Sequence, residues 1–149
     1  MLTIRRSSPS DLEALFNIWR EAVRATHSFL SKADVEFYAQ LVRNDYLPHV
    51  EVWVAVDPMN APIGFIGMTG SMIDALFIAP EQHGRGVGRR LVEYVRSQEG
   101  SLRVDVNEQN EGARAFYTRL GFQETGRSEL DGSGRPFPLI HMTLAPALK

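Results

Sequence analysis

Hydrophobic positions along the chain change period several times, and the changes mark out elements. Leu2-Thr3-Ile4 reads as the start of a short strand. Ser8-Pro9-Ser10-Asp11 then offers an N-cap serine, a proline at the first helical position and an early carboxylate. Leu12, Leu15, Phe16, Trp19 and Val23 follow on one helical stripe. Ser31-Lys32-Ala33-Asp34 opens a second helix, with Val35, Tyr38, Leu41 and Val42 on one face, ending before Pro48. Two strands, Val50–Val56 and Ile63–Met68, flank the turn-rich Asp57–Pro62. A third, Met72–Ile78, follows Gly70-Ser71 so closely that the three predict an antiparallel meander. Val87–Gln98 is helical, with Val87, Leu91, Val92 and Val95 inward and Gly100 stopping it. Leu102–Val106 is a strand, and Glu111–Leu120 a helix closed by Gly121. Phe122–Glu129 and Phe137–Leu144 form a last hairpin around Asp131-Gly132-Ser133-Gly134. The pattern predicts an α/β fold: a mixed, mostly antiparallel sheet of six to seven strands, with about four helices on both faces.

Length and charge narrow the function. The 149 residues, 44% of them hydrophobic, suit one domain spanning residues 1–149 with a real core. A net charge of −2 gives no general attraction for nucleic acid or an anionic membrane, so neither is expected as a partner. No apolar run is long enough to span a bilayer, and the first residues lack a secretory apolar region. The cytoplasm is therefore the expected compartment. The chain has no cysteine, which excludes disulfides, thiol catalysis and Cys–metal sites, and no metal is expected. Oligomeric state is not legible; monomer and homodimer both stay open.

The most specific local feature is Pro80-Glu81-Gln82-His83-Gly84-Arg85-Gly86-Val87-Gly88-Arg89-Arg90-Leu91. Gly84, Gly86 and Gly88 let backbone approach a ligand and take positive φ where needed. Amides at the start of the following helix, at the positive end of its dipole, make an anion site, and Arg85 and Arg89 add charge beside it. A plain glycine turn with solvated arginines is the simpler reading, but three glycines in five residues before a helix argue against it. A Walker loop requires Lys-Ser/Thr after its last glycine, and here Arg89-Arg90 follows. A Rossmann fingerprint is closer, because Asp105 lies 21 residues after Gly84. Its third glycine comes one place early, however, and Ala79–His83 separates strand from loop.

Ile73-Asp74-Ala75-Leu76-Phe77-Ile78-Ala79-Pro80, running into Gly84-Arg85-Gly86-Val87-Gly88, resembles the acetyl-coenzyme A motif of the GNAT superfamily of N-acetyltransferases. That motif is written (Arg/Gln)-x-x-Gly-x-(Gly/Ala). Asn107-Glu108-Gln109-Asn110-Glu111-Gly112-Ala113-Arg114-Ala115-Phe116-Tyr117-Thr118-Arg119-Leu120-Gly121-Phe122 resembles the family's next motif. The two occur in the family's order and separation, and the element order matches over essentially the whole chain. Thr26–Leu30 and the stretch from Gly126 to Leu139 are similar to a small bacterial subgroup, the YjaB-type proteins. One departure is plain: His83 stands at the Arg/Gln position.

The resemblance implies acetyl-coenzyme A as acetyl donor and an amine as acceptor. The pyrophosphate belongs on the amides of residues 84–89, from Gly84, Arg85 and Gly86 through Val87, Gly88 and Arg89, with His83 at the entry. The pantetheine arm would pair with backbone at Leu76, Phe77 and Ile78 as an added strand, and Asn107 and Asn110 would face it. An amine attacks as its neutral form, although free lysine has a pKa of about 10.4. The departing thiolate, from a thiol near pKa 8.5 by analogy with cysteine, needs a proton. The resemblance gives that role to Tyr117, with Phe116 as a core anchor that frees it to point a different way; the alternative is a tyrosine that only packs its helix, its hydroxyl satisfied elsewhere. For the base, Asp74 shares a strand face with Leu76 and Ile78, and His27 lies in the family's acceptor region with the right intrinsic pKa. Asp105 alternates away from Val104 and Val106, to face the cleft or pair with an arginine, and a water relay without a single base is a further option. His49 and His141 have no supporting context.

The acceptor pocket is expected along Arg20–Leu30, Asp57–Ala61 and Ser128–Phe137, where Glu21, Glu129 and Asp131 suit a cationic amine. Protein lysine, a small-molecule amine or amino acid, and a non-catalytic acyl-coenzyme A sensor remain as readings, with a dinucleotide-binding protein disfavoured by glycine spacing.

Overall fold

Strand pairing organises the chain. The computed structural model describes residues 2–50 and 52–147, so Glu51, inside the predicted second strand, lies outside the described residues. Seven strands are hydrogen-bonded in the order β1-β2-β3-β4-β5-β7-β6. They are β1 Thr3–Arg6, β2 Val52–Val56, β3 Pro62–Thr69, β4 Met72–Ile78, β5 Leu102–Asn107, β6 Gln123–Ser128 and β7 Leu139–Leu144. Four α-helices complete the fold: α1 Leu12–Thr26, α2 Lys32–Gln40, α3 Val87–Glu99 and α4 Glu111–Arg119. The mixed sheet is the expected one, with β1–β2, β2–β3, β5–β7 and β6–β7 antiparallel and β4–β5 parallel.

The chain partitions into two compact units, residues up to 68 with 75–92, and residues 69–74 with 93 onward. In the first, α1 buries Leu15, Phe16, Ile18, Trp19 and Val23 against Val52, Val54, Val56 and Phe65. That is the stripe read from the sequence, with Ile18 added and Leu12 only half-buried. Ala75 and Phe77 pack against this core, Phe77 lying 6.5 Å from Trp19 and 5.9 Å from Phe65, centroid to centroid. α2 begins with the predicted capping box: the Asp34 amide donates to Ser31 Oγ and the Ser31 amide to Asp34 Oδ2, each at 3.0 Å. Past α2 the chain widens into a π-helical turn, Leu41–Tyr46, where the sequence predicts continued α-helix. Gly67 makes room for it, since a Cβ there would stand against the Tyr46 hydroxyl.

In the second unit β5, β7 and β6 bury Leu102, Val104, Val106, Ile140, Met142 and Leu144 on one face. The hairpin strands are shorter than predicted, ending at Ser128 and restarting at Leu139. Asp131 closes its own turn, its Oδ1 accepting the Ser133 and Arg135 amides at 2.9 Å, and Pro136 and Pro138 lack the amide hydrogens a ladder requires.

The start of α1 differs from a simple serine cap: Pro9–Asp11 form a short 3₁₀ turn before Leu12. Asp11 is 7% exposed and takes both guanidinium nitrogens of Arg5, at 2.8 and 3.1 Å, with the Ser8 amide at 2.8 Å. The Arg5 hydrogen bonds hold its carboxyl below the usual carboxylate range, against the opposing effect of burial. A depressed carboxyl stabilises the fold above the unfolded value of about 3.9, and that stability is lost as pH falls through the folded value. Asp11→Asn should therefore cost about 1.5–3 kcal/mol near neutrality. The gap between urea melts of the two proteins should narrow as pH falls below about 4 and close once pH is below the folded carboxyl's value; a gap independent of pH would show that the charge is not what stabilises.

Candidate active site

β4 ends at Ile78, and the chain turns through Pro80–Gln82 before α3 starts at Val87. Gly84 and Gly86 have φ of +78° and +79°, the left-handed region that favours glycine, and a Cβ at either would meet nothing within 4 Å. Gly88 is different: it is buried inside the first turn of α3. The first intrahelical bond runs from the Arg90 amide to the Gly86 carbonyl at 3.0 Å. The Val87 and Gly88 amides come before it and have no carbonyl one turn back to bond. Arg85 and Arg89 are exposed.

His83 is not a passive replacement. Its Nε2 lies 3.1 Å from the Ile78 carbonyl oxygen, which only accepts, so Nε2 carries the proton and donates. The imidazole thus ties the entry of the glycine turn to the last residue of β4. Beside it, Gly64 allows close packing: a Cβ there would sit 2.7 Å from Ile78 Cδ1 and 3.3 Å from Val87 Cγ1. On β4, Ala75 and Phe77 enter the core, leaving Leu76 and Ile78 to alternate away from it.

In the second unit, Asn110 caps α4, its Oδ1 accepting the Ala113 amide at 3.1 Å, and Asn107 Oδ1 accepts the Gln109 amide at 3.0 Å. Both carboxamide oxygens expected to serve a ligand organise the β5–α4 turn. The aromatic pair reverses the expected roles. Tyr117 is the buried member, 6% exposed, with Phe116 and Phe122 ring centroids each 5.1 Å from its own, while Phe116 is half-buried. Burial pushes the Tyr117 hydroxyl well above its ordinary pKa, so it stays protonated.

The expected base candidates fare unequally. Asp74 is exposed and its Oδ2 accepts the Thr69 hydroxyl at 2.5 Å. His27 follows α1, with Nδ1 2.7 Å from Thr26 Oγ1 and its ring 5.3 Å from Phe29. The Thr26 hydroxyl donates to the Ala22 carbonyl, so His27 Nδ1 carries the proton. Burial lowers the His27 pKa and favours the neutral ring. Asp105 pairs with a histidine rather than an arginine. Its Oδ1 lies 2.6 Å from His141 Nδ1, and His141 Nε2 lies 2.6 Å from Ser128 Oγ. Sequence reading missed this chain; the available signal was period-two alternation on β7, which sets His141 on the face opposite Ile140 and Met142. Among the described residues, no group of three or more His, Asp and Glu side chains is placed to hold a metal ion.

The acetyltransferase (GNAT) domain model matches residues 48–124. The peptidyl-lysine N-acetyltransferase YjaB of Salmonella typhimurium is 46% identical over 95% of this chain and 97% of its own. The chain belongs to the GNAT family. The solution structure of apo-form YjaB from Escherichia coli superposes with a TM-score of 0.92 at 45% identity, covering 99% of each chain. The PaiA N-acetyltransferase of Thermoplasma acidophilum, crystallised with coenzyme A, shares the fold at a TM-score of 0.80 and 21% identity, covering 97% and 99% of the two chains.

As a GNAT protein the chain is an N-acetyltransferase with acetyl-coenzyme A as donor. The residues present suit the pyrophosphate: amides without carbonyls, glycines with open space before them, and exposed arginines. Gly86→Val should strain the turn by about 1–3 kcal/mol, because a branched residue at φ of +79° is forced out of its normal regions. Coenzyme A affinity, measured by calorimetry on the folded variant, should fall at least about tenfold, the equivalent of 1.4 kcal/mol. Retained affinity would show that this GNAT loop does not carry the phosphates.

Proposed function

We propose that this enzyme acetylates lysine side chains of proteins by direct attack of the amine on acetyl-coenzyme A, with Tyr117 as the proton donor to sulfur. The observation that carries the reading is Tyr117 itself, set on α4 at the tyrosine position of the family's second motif and packed between Phe116 and Phe122. The amides leading α3 hold the pyrophosphate, with Arg85 and Arg89 as flanking charge. Backbone at Leu76, Phe77 and Ile78 receives the pantetheine arm; the Ile78 carbonyl, although it accepts from His83, keeps a second lone pair. Those β4 amides also suit a developing oxyanion. The lysine acceptor is supported by the name of the YjaB relative, which is matched across nearly its whole length. We read residues 1–149 as one catalytic domain on the same ground, acting in the cytoplasm as a monomer or homodimer. No helix among the described residues is long and apolar enough to cross a membrane.

Tyr117→Phe should leave acetyl-coenzyme A affinity unchanged and lower kcat by about 10²–10⁴. An unaltered rate across the pH profile would remove Tyr117 from the role. Acceptor class is separated by a screen of lysine peptides, polyamines, amino acids and simple amines, read by free thiol release. Turnover with lysine peptides supports the proposal; turnover confined to small amines replaces it, and coenzyme binding without turnover would leave a sensor.

A further inference from the structure

Ser128, His141 and Asp105 come from three adjacent strands. Asp105 of β5 stands directly opposite His141 of β7, while Ser128 of β6 lies two residues along, opposite Leu139 and on the same face. The Asp105 and His141 side chains are each 34% exposed. They share the face away from Val104, Val106, Ile140 and Met142, which are buried. The opposite face is covered by α4, because Arg114 of α4 bridges Glu124, and Glu124 stands opposite Met142. A cross-strand polar pair on an open sheet face contributes only about 0.2–1 kcal/mol. Folding alone does not explain a directed chain of three such groups.

The direction follows from the donors. Asp105 as carboxylate only accepts, so neutral His141 carries its proton on Nδ1 and donates it there. Nε2 then holds a lone pair and accepts from the Ser128 hydroxyl. We infer that Ser128, His141 and Asp105 form the relay that removes the proton from the acceptor ammonium. The inference rests on the acetyl-transfer reading given above. An ammonium proton passes to Ser128 Oγ while the Ser128 proton passes to His141 Nε2. Asp105 is the positioning residue that holds the ring and balances the imidazolium. The freed nitrogen lone pair forms the bond to the acetyl carbon as the carbon–sulfur bond breaks. Of the two protons the ammonium loses on becoming an amide N–H, one leaves from His141 to solvent. The other replaces the proton that Tyr117 gives to sulfur.

Arg103 and Asp105 are the charged residues on this face of β5, and Ser128 faces the ring from β6. Glu124 and Arg127 project to the other face, where they pair with Arg114 and Glu108. His141 accepts through its Nε2 lone pair, so the pH profile of kcat/KM for a lysine peptide reads the ring's part in the transfer. The test is that profile for the full chain, wild type against His141→Gln, Ser128→Ala and Asp105→Asn, with coenzyme affinity and thermal melts measured on each. His141→Gln should lose about 100-fold or more near neutrality. Its deficit should shrink as pH nears the lysine value of about 10.4, where the amine deprotonates unaided. Ser128→Ala and Asp105→Asn should each lose about tenfold with coenzyme affinity intact. A His141→Gln profile parallel to wild type at every pH overturns the relay, as does full activity in Ser128→Ala. Wild type that acetylates no amine would instead overturn the parent reading.

Discussion

The start of α3 is held open from behind, and the arrangement of the first unit follows from that constraint. A helix terminus can present amides outward only if its first residues are fixed, because a frayed turn would satisfy those amides with water. Val87 does the fixing: it is 5% exposed and packs where Gly64 has no side chain. Ile78 uses the same gap, so one missing side chain on β3 seats both the end of β4 and the beginning of α3. His83 adds a hydrogen bond between turn and strand. Together these contacts let Gly84 and Gly86 hold left-handed φ without side chains to anchor them. A methyl group at Gly64 would press on Ile78 Cδ1, and overpacking of that kind costs about 1–3 kcal/mol.

Much of this was legible in the sequence because its causes are local. Period-3.6 and period-2 patterns located all seven strands and all four α-helices, and Met72–Ile78 and the Val87 start of α3 match residue for residue. The phosphate turn was legible for the same reason: glycine spacing before a helix is a local signal. What the sequence did not reveal depends on which residues meet across strands. His141 and Asp105 are 36 residues apart, and only the β5–β7 register makes them neighbours. Phe116 and Tyr117 are adjacent aromatic residues in one helix, and the choice of which to bury falls to Phe122, beyond the helix. The π-helical turn after α2 depends on Gly67, more than 20 residues downstream of Tyr46. Each failure is a tertiary contact overruling a local preference.

The chemistry assigned to the second unit asks two proton-handling groups to work without neutralising each other. A donor and an acceptor in contact would exchange their proton and lose both functions. Here they differ in environment. Tyr117 sits between two aromatic rings, where desolvation alone keeps its proton. His141 sits on the open face, between a carboxylate that steadies its charge and a hydroxyl that extends its reach. The same three strands supply both environments, because alternating side chains give one sheet a dry side under α4 and a wet side without it. In the proposed reading the tyrosine that protonates sulfur lies in the layer under α4, apart from a base on the wet side that can hand its proton to water after each turnover. On the proposed roles, the period-two alternation of β5 and β7 that builds the core would also sort acid from base.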